Sequence, residues 1–462
     1  MQGLKSKIFR AVIAVAAFVF AMPSELSAQN FSSSINTYSP YSMYGLGELT
    51  TPGNTAMRAM GGVGIAMYSP GVVNLLNPAA YGNMNRKSFI FDFGVDAGHY
   101  RNEQTKYTSG TPSSVKTAYN SVNFHEIAFQ MPLAKNLGFG FSLTPYSNVG
   151  YKMYKSDMSN EIIGNVGRVL YQYDGEGDIT EVKAGIGWRP WKKLSIGVAA
   201  LYYWGDITRN YTSQVSNIIT GSGAYSSTTG VDTYTVSRMK MQVGIQWHAI
   251  LNAKRALSFG ATYDIGGALA PRLTQSLYVN NLLQTSVRNK VDKRALQLPS
   301  QIGAGFFYQN ATIRLGADYV YQNWGDENID YTESLGKGTE VAYTDTHTIK
   351  VGFEITPRPT DVRNYLNRIA YRVGARVGDY YQTFGGSAIH QMAITAGLGL
   401  PIRLFGRSTV DVGFEYGRRM PEMETIEVYG EKVGMVNQNY FKFSLGLSLF
   451  GEDRWFQRYK FD

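Results

Sequence analysis

The chain has no cysteine. That excludes a disulfide framework, thiolate catalysis and a lipid-anchoring thiol. Histidine is scarce too. His99, His125, His248, His347 and His390 are scattered, without the HxH or HxxxH spacing that brings two imidazoles to one metal ion. The sequence therefore predicts no metal site and no cofactor. Charged residues make up only 17% of the chain, and past the N-terminal leader no segment reaches ~18 uninterrupted apolar residues, so no helix is predicted to span a membrane. What is plentiful is Tyr (33), Phe (23) and Gly (50), a composition that suits a large β-structure.

The first residues read as a secretory signal peptide. Lys5, Lys7 and Arg10 form its basic end, Ile8 to Met22 its apolar core, and cleavage is expected after Ala28, ahead of Gln29. Removing Lys5, Lys7, Arg10 and Glu25 with it lowers the formal charge from +9 to +7. An exported chain seldom meets nucleic acid, so nucleic acid is not an expected partner.

From residue 88 onward the pattern has period two. In YFKFSLGLSLF (440–450), Phe441, Phe443, Leu445, Leu447 and Leu449 fall on one side, and Tyr440, Lys442, Ser444, Gly446 and Ser448 on the other. FIFDFGVD (89–96) divides in the same way. Fourteen such segments start near Ser88, Ala118, Leu137, Asp178, Leu194, Thr235, Ala256, Leu296, Thr312, Thr346, Asn367, Ala388, Ser408 and Asn437. Short connections such as PLAKN and RPWKK alternate with long polar ones, Asn148–Gly177, Asp206–Val231 and Gln322–Asp345. An even strand count with alternating short turns and long loops is the pattern of an outer-membrane barrel, which must close because lipid cannot satisfy an open sheet edge. The predicted fold class is all-β: a 14-stranded antiparallel transmembrane β-barrel with a small N-terminal helical hatch.

A soluble sandwich gives the same alternation. Tryptophan placement favours the barrel: Trp188, Trp191, Trp247 and Trp455 fall at short-turn ends, Trp204 and Trp324 at long-loop ends, where aromatic girdles belong. The polar sides carry six bases (Lys183, Arg314, Lys350, Arg372, Arg376, Lys442) and seven acids (Asp92, Asp96, Glu181, Asp318, Glu354, Asp411, Glu415). An ion-selective pore is lined with one sign. A balanced set suits internal pairing and a plug, with a hydrated general porin as the alternative.

Fourteen strands enclose more space than their side chains fill. Residues 29–87 precede the first strand and lack period two. NTAMRAM (54–60) is expected to open a short helix capped by Asn54. SPGVVNLL (69–76) is expected to form another, with Ser69 as N-cap and Pro70 in its first turn. The predicted division is signal peptide 1–28, hatch 29–87, barrel 88–451 and periplasmic C-terminal tail 452–462.

The stretch RAMGGVGIAMYSPGVVNLLNPAAYG, followed by SFIFDFGVDAG, resembles the N-terminal hatch of FadL-type outer-membrane proteins, transporters of long-chain fatty acids and hydrocarbons. Asn77, Pro78 and Ala79 fall on the family's Asn-Pro-Ala, and the specific likeness is confined to residues 56–95. The resemblance implies passive uptake of a hydrophobic, fatty-acid-like small molecule that binds beside the hatch and leaves sideways through the wall at a kink in the third strand. In this sequence that strand contains Pro145, with Gly150 after it, and these are the candidate lateral opening. Met60, Ile65, Met67, Val72, Val73, Leu75 and Leu76 are the candidate ligand pocket, or the packing that seats the plug. Some barrels of this kind are instead fixed partners in outer-membrane secretion or assembly machines.

The short turns and the tail carry fourteen basic residues, among them Lys135, Arg189, Lys192, Arg358 and Arg458, against four acidic ones. That rim suits anionic lipid headgroups of the outer membrane, or a periplasmic protein partner. Both termini are expected in the periplasm. Catalysis is not predicted. His125–Glu126 is the only adjacent His–acid pair, on a strand where neighbours face opposite sides; GEGD (175–178) is a loop; and GGVG (61–64) lacks the strand–turn–helix setting of a dinucleotide site.

Overall fold

The computed structural model describes residues 37–69, 71–84, 89–108, 111–157, 168–216, 227–252, 254–293, 295–325, 341–402, 408–428 and 431–449. All belong to one compact unit, Ile35–Asp462. The signal peptide, Pro70, Trp455, Arg403, Arg407 and the tail GEDRWFQRYKFD lie outside the described residues.

Fourteen antiparallel strands form the wall: β1 (Ile90–Thr108), β2 (Thr111–Ala134), β3 (Leu137–Asp157), β4 (Arg168–Trp191), β5 (Leu194–Ser216), β6 (Thr228–Leu251), β7 (Arg255–Asp264), β8 (Ser300–Asn310), β9 (Ile313–Asn323), β10 (Thr346–Ile355), β11 (Ala370–Asp379), β12 (Ile389–Ile402), β13 (Ser408–Pro421) and β14 (Val436–Leu449). Each pairs with its sequence neighbours, and β14 returns to β1 from Phe91↔Leu449 to Gln104↔Val436, closing the barrel. The alternation read from sequence is the reason. On β14, Phe441 and Leu445 face outward and exposed, while Tyr440, Ser444 and Gly446 are buried in the lumen. Phe414, Ile394, Val373 and Ile349 likewise face out on neighbouring strands. A wall that is apolar outside and charged inside is stable only with lipid around it.

The wall is uneven in height. β1 to β6 run 19–24 residues, whereas β7 to β11 run 10–11. Here the long-loop expectation is corrected. Asn148–Asp157 and Arg168–Gly177 are paired strand, as are Asp206–Ser216 and Thr228–Val231. These extensions rise past the apolar band, so lipid no longer selects apolar residues for one side and the period-two signal fades. The connection after β7 also holds an unpredicted hairpin, Arg272–Val279 and Leu282–Asn289, added beside the upper half of β6.

Two further expectations are corrected. Residues 71–76 form no helix; the cap-plus-proline signal acts one motif later, where Asn77 caps a 3₁₀ turn over Pro78–Asn83. Trp324 is fully buried rather than part of a girdle, packed on Tyr381 in the lumen, while Trp188, Trp191 and Trp247 are exposed at the short-turn end. The helix opened by Asn54 is present over Thr55–Arg58, with the Asn54 carboxamide oxygen accepting from the Met57 N–H at 3.0 Å.

Candidate functional site

Residues 37–69 and 71–84 thread the lumen, and the wall is cut to receive them. Gly138, Gly187, Gly197 and Gly244 stand in register across β3, β4, β5 and β6. A methyl group on any of them would overlap the hatch backbone or a hatch side chain at Asn77, Pro78 or Tyr81. Gly352 and Gly374, paired across β10 and β11, do the same for Met60 and Gly61. Sequence reasoning missed this seat. The signal was present as glycines on the inward phase of consecutive strands, but register alone turns them into a row.

Polar side chains then tie the hatch down. Asp318 of β9 accepts from the Gly64 and Ile65 amides at 2.7 and 3.0 Å. Lys183 of β4 donates to the Leu75 carbonyl at 2.7 Å, and Gln246 of β6 to Ile65 at 3.0 Å. Asn54 donates to Asp92 of β1 at 3.0 Å, Thr395 of β12 to the Ala59 carbonyl at 3.0 Å, and Arg419 of β13 to Glu48 at 2.7 Å. The thirteen charged residues predicted to face inward all lie on the lumen side, and they serve two roles. Some hold the hatch; others pair along the wall, as Arg372 does with both Glu354 and Asp411, and Arg376 with Glu415. Arg419, Arg58 and Glu126 belong to this network and were not predicted.

Asn77 does more than shape a turn. Its carboxamide oxygen accepts from the Ala79 amide at 3.0 Å while its nitrogen donates to the Ile65 and Ile245 carbonyls at 2.8 and 3.2 Å. Pro78 and Ala79 are fully seated against the wall glycines. Of the candidate pocket residues, Met60, Ile65, Met67, Val73, Leu75 and Leu76 are buried within packed clusters, and Val72 lines a vestibule of about 1070 Å³ at the short-turn end. Toward the opposite mouth, Tyr41, Tyr44 and Leu46 of the hatch pack with Tyr151, Leu201, Tyr203, Trp324, Tyr380 and Tyr381. Between these layers lies a cavity of about 230 Å³, reached by Ile65, Leu75 and Leu76 but also by Arg58, Asp96, Lys183, Lys350 and Lys442.

Pro145 sits in β3 without ending it; pairing with β4 continues to Asp157 through a bulge between Pro145 and Ser147. On the other side, pairing between β2 and β3 stops at Ile127↔Leu143 among the described residues. The cavity reaches both lips of this gap, at Asn123 and Phe124 and at Thr144 and Pro145. The hatch bonds the β3 lip. Leu49 and Glu48 pair with Ser147 and Asn148, and the Thr50 and Ser39 amides donate to the Tyr146 and Gly150 carbonyls, each at 2.9 Å. Gly150 is thus a hatch contact.

His125 and Glu126 correct one further expectation. A bulge in β2 opposite Gly94/Val95 turns both side chains inward, and His125 Nε2 lies 2.9 Å from the Gly53 carbonyl and 3.5 Å from Glu126. Both are fixed between hatch and wall as seating groups.

A closed fourteen-stranded barrel, lipid-facing outside and plugged by its own N-terminal segment, defines the class: an outer-membrane β-barrel with the FadL-type architecture. Within that class the chain belongs to the BamG family, whose model matches residues 8–462. In solved structures it is similar to a Pseudomonas aeruginosa FadL homologue, at 12% identity with a TM-score of 0.58, covering 88% of this chain and 100% of that one. It is also similar to the CymD monoaromatic hydrocarbon channel (13% identity, TM-score 0.53, 88% and 98% covered) and to the P. putida toluene transporter TodX (13%, 0.52, 87% and 99%). At these identities the likeness is one of fold. No curated protein matches the chain in sequence.

Proposed function

We propose that this barrel is a fixed structural partner in an outer-membrane protein assembly. The observation that carries the reading is the hatch, bonded to the wall from β1 round to β13. A lumen occupied in this way leaves the outer wall and the two rims as the working surfaces. The basic short turns fit the same reading, with both termini on the periplasmic side and the turns against lipid headgroups or an acidic partner. The test is native mass spectrometry of the full chain after mild detergent extraction. A stoichiometric complex with other envelope proteins is expected. A lone barrel carrying an apolar small molecule would overturn the reading.

That second outcome belongs to a reading favoured by a different observation, the cavity that meets both lips of the β2–β3 gap. In it, a hydrophobic, fatty-acid-like molecule binds beside the hatch and leaves laterally past Pro145. The names of the structural neighbours, which include hydrocarbon channels and a toluene transporter, lend it support. Bound apolar molecules lost on Pro145→Ala, in a barrel that still folds, are its expected result. Large ion conductance in planar bilayers would favour a general porin over both.

A further inference from the structure

We infer that the unpaired edge of β2 is a docking edge for an extended, uncharged strand of a neighbouring membrane protein. The inference rests on the assembly reading above and names its interface. β2 pairs with β1 along its length, from Thr111↔Thr108 to Gln130↔Ile90, yet among the described residues its other edge has a strand partner only from Ile127 to Ala134. Among the described residues, no strand pairs with that edge from Thr111 to Val122. All but Tyr119 and Ser121 of these twelve residues are exposed.

Such an edge presents backbone donors and acceptors in strict alternation, and only another extended backbone matches that row. The protein already uses this recognition on the facing lip, where its own Glu48–Leu49 pairs with β3. Among the described residues the hatch pairs no strand with β2 and touches this stretch through Tyr38, whose ring stacks on Tyr119. The charge pattern selects the occupant. Between Thr111 and Val122 the one ionic side chain is Lys116, which is paired with Glu103 at 3.0 Å. The remainder is Thr, Ser, Ala, Tyr, Asn, Val and Pro112 at the tip, so a charged strand gains nothing here. Val115 and Val122, an odd number of residues apart, offer an apolar contact on each face of the added strand.

Height selects a membrane-bound source. The paired base of β2 is about eight residues long, which at ~3.3 Å per residue and ~40° of tilt lifts the free edge roughly 20 Å above the short turns. Pairing therefore stops near the far boundary of the ~25 Å apolar band, and the edge climbs outward from there. A neighbour anchored in the same membrane reaches it with strands that likewise rise above the band.

The test uses the full chain in its own outer membrane. The absence of cysteine makes Thr117→Cys and Asn120→Cys unique attachment points for a thiol-coupled benzophenone. Ile349→Cys and Val373→Cys, also exposed but on other strands of the wall, are controls. The expected result is one adduct mass from both edge positions and none from the controls. Amide exchange over 111–122 should also be slower by about tenfold or more in the intact extract than in the stripped barrel. A stoichiometric partner that crosslinks only from the controls, with edge exchange unchanged on stripping, overturns the docking edge and leaves the assembly reading standing. A wild-type barrel that extracts alone, with rapid edge exchange in the membrane, overturns both.

Discussion

Arg419 of β13 donates to Glu48 of the hatch at 2.7 Å, and both side chains are only 4% exposed. Lys442 of β14 stands 3.7 Å from the same carboxylate, and the Thr37 hydroxyl donates to its second oxygen. One hatch carboxylate thus neutralises two buried wall cations. Removing one member of such a set leaves uncompensated charge, at a cost of roughly 3–5 kcal/mol. Glu48→Gln is expected to free residues 38–50 to exchange and proteolysis while the wall stays folded. Glu48→Gln combined with Arg419→Gln should recover part of the loss. Limited proteolysis of the three proteins in detergent checks this.

The same carboxylate sets a pH limit. Burial pushes the Glu48 carboxyl up, and the Arg419 guanidinium, the Lys442 ammonium and the Thr37 hydroxyl outweigh it, holding the group at about 2. A depressed carboxyl stabilises the seated hatch fully above its unfolded value of ~4.3 and loses that contribution as pH falls through the folded value. Hatch protection should be flat from about pH 8 to about pH 5 and should decline only toward about pH 2. Glu48→Gln should abolish this acid-dependent step, as read by hydrogen exchange of residues 38–50 across the series.

Glycine register makes a steric prediction. Gly197→Val and Gly352→Val point branched side chains into Pro78 and Met60, where the obstacle is hatch backbone rather than a movable side-chain tip. Each is expected to unseat the hatch locally, raising single-channel conductance and protease access to residues 55–84. Gly446→Ala instead meets the Thr55 side chain and should be milder. Planar-bilayer recordings of the three variants rank them.

Asn77 uses donor and acceptor together, so its isosteric variants separate the roles. Asn77→Asp keeps the acceptor for the Ala79 amide and turns the donor facing Ile65 and Ile245 into a repelling oxygen. Asn77→Ala loses both, leaving the Ala79 amide without its side-chain acceptor and the Ile65 carbonyl with Gln246 as its remaining side-chain donor, at about 1–3 kcal/mol per unsatisfied group. Both should lower the temperature at which the barrel loses its heat-resistant electrophoretic mobility. Asn77→Asp should be at least as damaging as Asn77→Ala, because it adds buried charge.

The wall was legible because lipid imposes a local rule. Phe441, Leu445 and their neighbours had to alternate with Lys442 and Ser444 in any pairing that spans, so strand number and inward residues followed from period two. The rule lapses above the apolar band, which is why Asn148–Asp157 and Asp206–Ser216 looked like loops. It also does not say which residues of the lumen meet. Pro145 was visible as a break in strand chemistry, yet the unpaired edge lies toward β2 and not toward β4, a matter of which neighbour the bent strand leaves.

The sequence by itself determined a β-barrel of fourteen strands, its inside and its outside, and an N-terminal segment too apolar to lie free. Those properties depend on residues one, two or a few positions apart. The tertiary structure alone decided that Gly138, Gly187, Gly197 and Gly244 form one seat, that Arg419 finds Glu48 from 371 residues away, and that no described strand pairs with the second edge of β2 from Thr111 to Val122. Each depends on the register of strands distant in sequence, which closure of the barrel around the hatch fixes and local periodicity does not encode.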